Sequence, residues 1–167
     1  MAGSAKRGVE FARADLFRGA TCILTPTHRT DPDATRSVEA FWKTLGMQTV
    51  SLTPEEHDRR VCDISHLPHL LAAALVAMQD EASLPLAGPG FLDVTRIAAG
   101  DGGLWRDIFL DNRDSVLKSL GALQQQLDSA KALLHPSQSE ALAAWLDQIA
   151  ARRNSIPDQK VRESHLD

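Results

Sequence analysis

Two cysteines in 167 residues predict neither a disulfide framework nor a four-ligand zinc site of ordinary spacing. Cys22 and Cys62 are expected as buried thiols. Long apolar runs are also missing: the longest, Leu70 to Met78, holds nine residues, whereas roughly 20 are needed to cross a bilayer. No membrane span is expected. The first residues bring Lys6, Arg7, Glu10 and Asp15 without the apolar core of a secretory signal, so the expected location is cytoplasmic. Positive charge is scarce as well, with 18 Lys and Arg against 22 Asp and Glu and a pI near 5.8. No basic patch with interleaved aromatics exists, and nucleic acid is not an expected partner. Apolar residues are plentiful at 43%. That suffices for one compact domain, or for a small domain joined to a remnant of another.

Residues 20–25, ATCILT, form a short apolar run ended by Pro26, which suits a buried strand. Asp31 can cap a helix with Pro32 at its first position, and Val38, Phe41, Trp42 and Leu45 repeat at helical spacing until Gly46. Phe41 and Trp42 are expected to pack this helix on the strands. Met47 to Leu52 then reads as a second strand. Two strands and one helix make too small a sheet to stand alone, so a larger unit should complete it. Thr53, Pro54 and Glu56 spell a capping box, opening a long helix that carries Val61, Ile64, Leu67, Leu71, Leu75 and Met78, with Pro68 bending it. A loop is expected over 84–90, a short helix over Phe91 to Ala98, and a chain break at Asp101-Gly102-Gly103. Leu104 to Leu134 reads as one helix. Its Val116, Leu120, Leu123, Leu127, Ala130 and Leu134 step at heptad spacing and call for a partner helix. Gln138 to Arg152 forms a last amphipathic helix, followed by a charged tail. The boundary between strand-bearing and helical sequence is drawn near Thr53, giving regions 1–53 and 54–167.

The run Ser65-His66-Leu67-Pro68-His69 is the densest chemical signal, with a hydroxyl and two imidazoles around a proline in apolar surroundings. Cys62, His66 and His69 share a helix face at i, i+4 and i+7 and could ligate zinc. The plainer alternative is that the histidines are hydrogen-bonded at a helix kink. Arg96, beside Asp93 and between Val94 and Ile97, is either a surface residue, with Asp93 as an available partner, or a buried bidentate carboxylate clamp. Trp105 is either a core aromatic at a helix start or part of a pocket.

Taken together, GATCILTPT (19–27), VEAFWKTLG (38–46), PEEHDRRV (54–61), SHLPH (65–69), GFLDVTRIA (90–98) and LWRDIFLDN (104–112) occur in an order and spacing that resemble prephenate dehydrogenase. The resemblance runs from Met1 to about Ala130. It implies oxidation of prephenate or arogenate with NAD or NADP and loss of carbon dioxide. The implied architecture is mainly α: an all-helical dimerisation domain preceded by a short β-α-β remnant of a Rossmann-type nucleotide-binding domain. A homodimer is the implied assembly.

The resemblance also assigns residues. Ser4 matches a small hydroxyl residue of the active-site loop, while Ala5 stands where many relatives have glutamate. Ser65, His66 and His69 match a substrate-side cluster, Arg96 the arginine that binds a substrate carboxylate, Trp105 an aromatic near the pocket, and Asp93 its support. Family members carry the catalytic histidine directly before the position of Met1, and no G-x-G-x-x-G occurs in the chain. The expectation is therefore a form shortened at its N-terminus, with no catalytic base of its own and little activity alone. The competing expectation is a non-catalytic helical dimer that binds substrate or a tyrosine-like effector.

Overall fold

The computed structural model describes Val9 and residues 12–156. Strand β1 (Thr21–Leu24) and strand β2 (Gln48–Ser51) pair in parallel, Thr21 opposite Gln48 and Leu24 opposite Ser51. Between them runs α1 (Pro32–Thr44), whose N-cap Asp31 accepts a hydrogen bond from the Asp33 amide at 2.8 Å. The helix ends as its sequence requires. Gly46 adopts φ +81°, and the Gly46 and Met47 amides donate back to the Lys43 and Trp42 carbonyls, the two-bond closure that a left-handed glycine permits. Trp42 meets Phe17 edge-on at 5.4 Å. Phe41 does not pack on the strands: it is 57% exposed, because α1 turns the Trp42 face inward and leaves its neighbour outside. Cys22 is only half-buried, whereas Cys62 is fully buried.

The capping box forms as written. Thr53 Oγ1 accepts from the Glu56 amide at 3.1 Å, and the Glu56 carboxylate accepts from the Thr53 amide at 3.2 Å, opening α2 (Pro54–Val61). A cap of this kind contributes about 1 kcal/mol. The next turn is not α-helical. Residues Cys62–His66 form a π-turn, and the Leu67 amide reaches the Cys62 carbonyl five residues back, before α3 (Leu67–Ala77) resumes with Pro68 in its first turn. The expected bend is thus a widened turn: Pro68 has no amide to donate and its ring would press on the carbonyl four residues earlier, and π spacing relieves both problems.

Three boundaries differ from expectation. Helix α4 (Pro89–Thr95) begins two residues early because Pro89 fits a first helical position, and a 3-10 turn over Arg96–Ala99 follows it. Gly102 and Gly103 do not break the chain, for Asp101 caps them into the first turn of α5 (Gly102–Asp111), accepting from the Leu104 amide at 2.8 Å. The single helix over 104–134 is in fact two: α5 ends at Asn112, and α6 (Arg113–Leu133) begins immediately after. A 3-10 turn at Pro136–Gln138 leads into α7 (Ser139–Asn154).

The chain divides into two compact units, 1–119 and 120–167, the division falling within α6. In the first unit, α3 packs against α4 and against the Arg96–Ala99 turn, and among the described residues Cys62, His69, Ala72, Thr95 and Val116 are buried. No helix among the described residues is long and apolar enough to cross a membrane.

Candidate functional site

The π-turn and the first turn of α3 carry Ser65, His66 and His69, and α5 supplies the surface they meet. His69 is 5% exposed. Its ring stacks on the Trp105 indole, centroids 3.4 Å apart and planes 16° from parallel. Phe109, one helical turn beyond Trp105, stands 6.2 Å from His69 and 5.5 Å from Trp105. His66 meets Trp105 edge-on at 6.4 Å. The two imidazoles thus share one indole, His69 against its face and His66 at right angles to it.

Burial pushes the pKa of His69 below the ordinary imidazole value, since charge in an apolar setting is costly. For His66 burial is again the largest cause and acts downward, while the Asp58 carboxylate pulls upward and His57 adds to the lowering. Both rings are therefore biased towards the neutral form, which keeps one N–H donor each. Among the described residues His69 Nδ1 is buried with no hydrogen-bond partner. Such an unpaired buried nitrogen costs about 1 to 3 kcal/mol.

The surroundings of the stack are fixed by residues that the sequence did not single out. Gly100 lies so close that a Cβ there would stand 2.5 Å from Trp105 Nε1 and 3.0 Å from His69 Cε1. Only a glycine leaves the indole its place. Thr95 is buried, and its hydroxyl donates to the Phe91 carbonyl at 2.7 Å, tying the end of α4 where Arg96 begins the next turn. Arg96 is exposed and makes no ion pair among the described residues. Arg96 thus lies on the surface, as one of the two expectations had it, without an ion pair to Asp93, which is exposed on α4. Ser65 is half-buried in the π-turn. Ser4 and Ala5 lie outside the described residues.

Cys62 is not available as a metal ligand beside the histidines. Its thiol is fully buried and lies 3.6 Å from Ser119 Oγ, which donates to Asp63 Oδ1 at 2.6 Å. Among the described residues no three His, Cys, Asp or Glu side chains converge as a metal site. Phe109 could have been found from its i+4 spacing to Trp105, but Gly100 could not, because its role depends on a tertiary approach.

Two cavities lie elsewhere. One of about 200 Å³ sits at the end of β1, lined by Leu24, Thr25, Pro26, Thr30, Thr35 and neighbours. Another of about 220 Å³ is lined by Gln79, Ser83, Leu84, Leu86 and Phe91. The histidines, Arg96 and Trp105 line neither. Among the described residues the first cavity and the adjacent N-terminus of α1 do not suit the pyrophosphate of a dinucleotide: the described wall brings no cation, Asp31 already occupies the Asp33 amide, and Asp33 adds negative charge.

Residues 53–148 match the family profile described as prephenate dehydrogenase, dimerization domain, and residues 1–61 match that described as prephenate dehydrogenase, nucleotide-binding domain. The chain belongs to the prephenate dehydrogenase family. It is 36% identical to the prephenate dehydrogenase of Bacillus subtilis over 94% of this chain and 44% of that protein. Among solved structures it resembles prephenate dehydrogenase from A. aeolicus in complex with hydroxyphenyl propionate and NAD+, with a TM-score of 0.84 and 36% identity over 94% of this chain and 57% of that one. Arogenate dehydrogenase from Synechocystis is similar at a TM-score of 0.80 and 33% identity, over 92% and 58% of the two chains. The chain thus spans about half the length of the relatives it matches. Within the family, the π-turn lies on the dimerization-domain segment and β1-α1-β2 on the nucleotide-binding segment.

The lowered pKa values of His66 and His69 set the sign of the pH dependence. Between their folded values and the ordinary value of about 6.5, the unfolded chain binds more protons, so stability is fully present above that range and lost as pH falls through it. Chemical denaturation from about pH 7 down to about pH 5 should show this loss. His69→Phe keeps a ring on Trp105 but removes one titrating group, and should flatten the slope. An unchanged slope would remove His69 from the account.

Proposed function

We propose that this chain carries the substrate-side half of a dehydrogenase that oxidises prephenate or arogenate with NAD or NADP, giving 4-hydroxyphenylpyruvate or tyrosine and carbon dioxide. The observation that carries this reading is the stack of the buried His69 on Trp105, beside a turn that presents Arg96, which makes no ion pair among the described residues. Prephenate is a dicarboxylate built on a six-membered ring. A guanidinium binds a carboxylate through two parallel charge-assisted bonds, and neutral imidazole donors hold further oxygens without adding charge. An indole packed against histidine gives the ring an apolar wall.

The division of labour follows the proposed boundary near Thr53, supported by the two family profiles, which overlap over 53–61. Residues 54–167 would bind and orient the substrate through Ser65, His66, His69, Arg96 and Trp105, with Asp93 supporting the loop and Ser4 joining by resemblance. Residues 1–53 would contribute the end of the nucleotide-binding domain. Holding the substrate in one orientation is itself catalytic, since positioning alone can remove several kcal/mol of barrier. The A. aeolicus relative, solved with hydroxyphenyl propionate, supports a ligand that joins an aromatic ring to a carboxylate.

The helical region is also proposed to pair two copies of the chain. The heptad positions Leu127 and Leu134 are 57% and 70% exposed, and the matching profile is that of a dimerization domain. Light scattering on the chain should report twice the 18.2 kDa mass. A monomer at micromolar concentration contradicts the pairing.

Titration calorimetry of the 167-residue chain with prephenate tests the binding reading. Binding is expected, and Arg96→Ala should weaken it roughly tenfold to a hundredfold, the worth of a charged hydrogen bond at about 1.5 to 3 kcal/mol. Equal affinity in the variant would return Arg96 to the surface and leave the helical region as a scaffold.

A further inference from the structure

Asn112 ends α5 at the break that separates it from α6, yet its side chain is turned to residues about fifty positions earlier. Asn112 Nδ2 donates to the Asp58 backbone carbonyl at 2.8 Å and lies 3.3 Å from His66 Nδ1. The first contact decides the orientation of the amide. A backbone carbonyl can only accept, so the atom facing it must be the NH2 and not the amide oxygen. An NH2 has two hydrogens. One goes to Asp58, which leaves the other for the ring nitrogen of His66.

That nitrogen must then offer a lone pair. A hydrogen on Nδ1 would face a second hydrogen on Asn112 and forfeit the bond, at a cost of the order that buried unpaired donors carry. We infer that Asn112 is a positioning residue that holds His66 as its Nε2–H tautomer, leaving Nε2 as a fixed hydrogen-bond donor for an anionic oxygen. In a histidine the role of one ring nitrogen is set by the partner of the other. Nε2 makes no hydrogen bond to any described residue. The further consequence, that this donor serves a substrate carboxylate or carbonyl, rests on the function proposed above.

The same geometry opposes protonation, because an imidazolium must carry the Nδ1 hydrogen that Asn112 excludes. The charged or titratable neighbours are Asp58, which favours the charged ring, and His57, which opposes it. Both belong to α2. From α5 the ring meets Trp105 and Asn112, neither of which titrates. The Cys62 amide reaches both the Arg59 and Asp58 carbonyls at the end of α2, and the second lone pair of the Asp58 carbonyl accepts from Asn112.

Histidine-labelled chain without ligand, studied by long-range proton–nitrogen NMR at about pH 7.5, where neutral imidazole dominates, tests this directly, with His66→Gln identifying the signal. The expected pattern is a protonated Nε2 and an unprotonated Nδ1. Asn112→Asp replaces the donor by a carboxylate, which should move the proton to Nδ1 and raise the His66 titration midpoint by about one pH unit or more. A purely structural role for Asn112 would destabilise the chain without changing the tautomer. An Nδ1–H pattern in the unaltered chain overturns the inference, as does an unchanged tautomer in a folded Asn112→Asp variant. If that variant does not fold, the tautomer of the unaltered chain decides. Since no ligand is present, failure to bind prephenate would overturn the proposed function and leave this result standing.

Discussion

Pro68 has no amide hydrogen to give to the carbonyl four residues before it, and the helix responds by opening one turn to π spacing between Cys62 and His66. That local adjustment sets where three polar side chains go. His66 and His69, three residues apart across the start of α3, lie on successive turns of one face. With the widened turn just before α3, His66 meets Trp105 edge-on and His69 lies flat on it. Both imidazoles reach the same aromatic partner without reaching each other.

The α5 side of this arrangement is built for it. Asp101 caps two glycines into a helix start, so Trp105 comes one turn inside α5. Gly100 leaves the room that the indole occupies. At the other end of α5, Asn112 stops the helix and ties it back to Asp58 and His66. A second tether, from Cys62 through Ser119 to Asp63, joins the π-turn to α6. The polar groups inside the unit are thus mostly held by one another. Among the described residues His69 Nδ1 is the buried side-chain atom left without a partner.

Local chemistry made much of this legible in the sequence. Asp31-Pro32, Gly46 and the Thr53–Glu56 box each act within a few residues of themselves, and the elements they bound are β1, α1, β2 and α2. The SHLPH run and the Trp105 segment carried the family resemblance, and His66, His69 and Trp105 of the proposed site meet where those runs fold. What stayed hidden was tertiary. No proline or glycine interrupts the run from Leu104 to Val116, so the local sign of a helix end is Asn112 alone, and what fixes the end there is its tertiary bond to Asp58. The glycines at 102 and 103 read as a break until Asp101 is seen to cap them. A proline in a helix announces a distortion, but whether it produces a kink or a π-turn depends on what the turn packs against.

His66 and His69, gathered on Trp105 after the π-turn, form with Arg96 the proposed carboxylate-binding surface. The histidine ring signals of the chain, followed by NMR as prephenate is added, test it most directly. The signals of His66 and His69 should move together with a single saturation curve while those of His28 and His135 stay in place. Saturation that moves His28 or His135 and leaves His66 and His69 unchanged would contradict it.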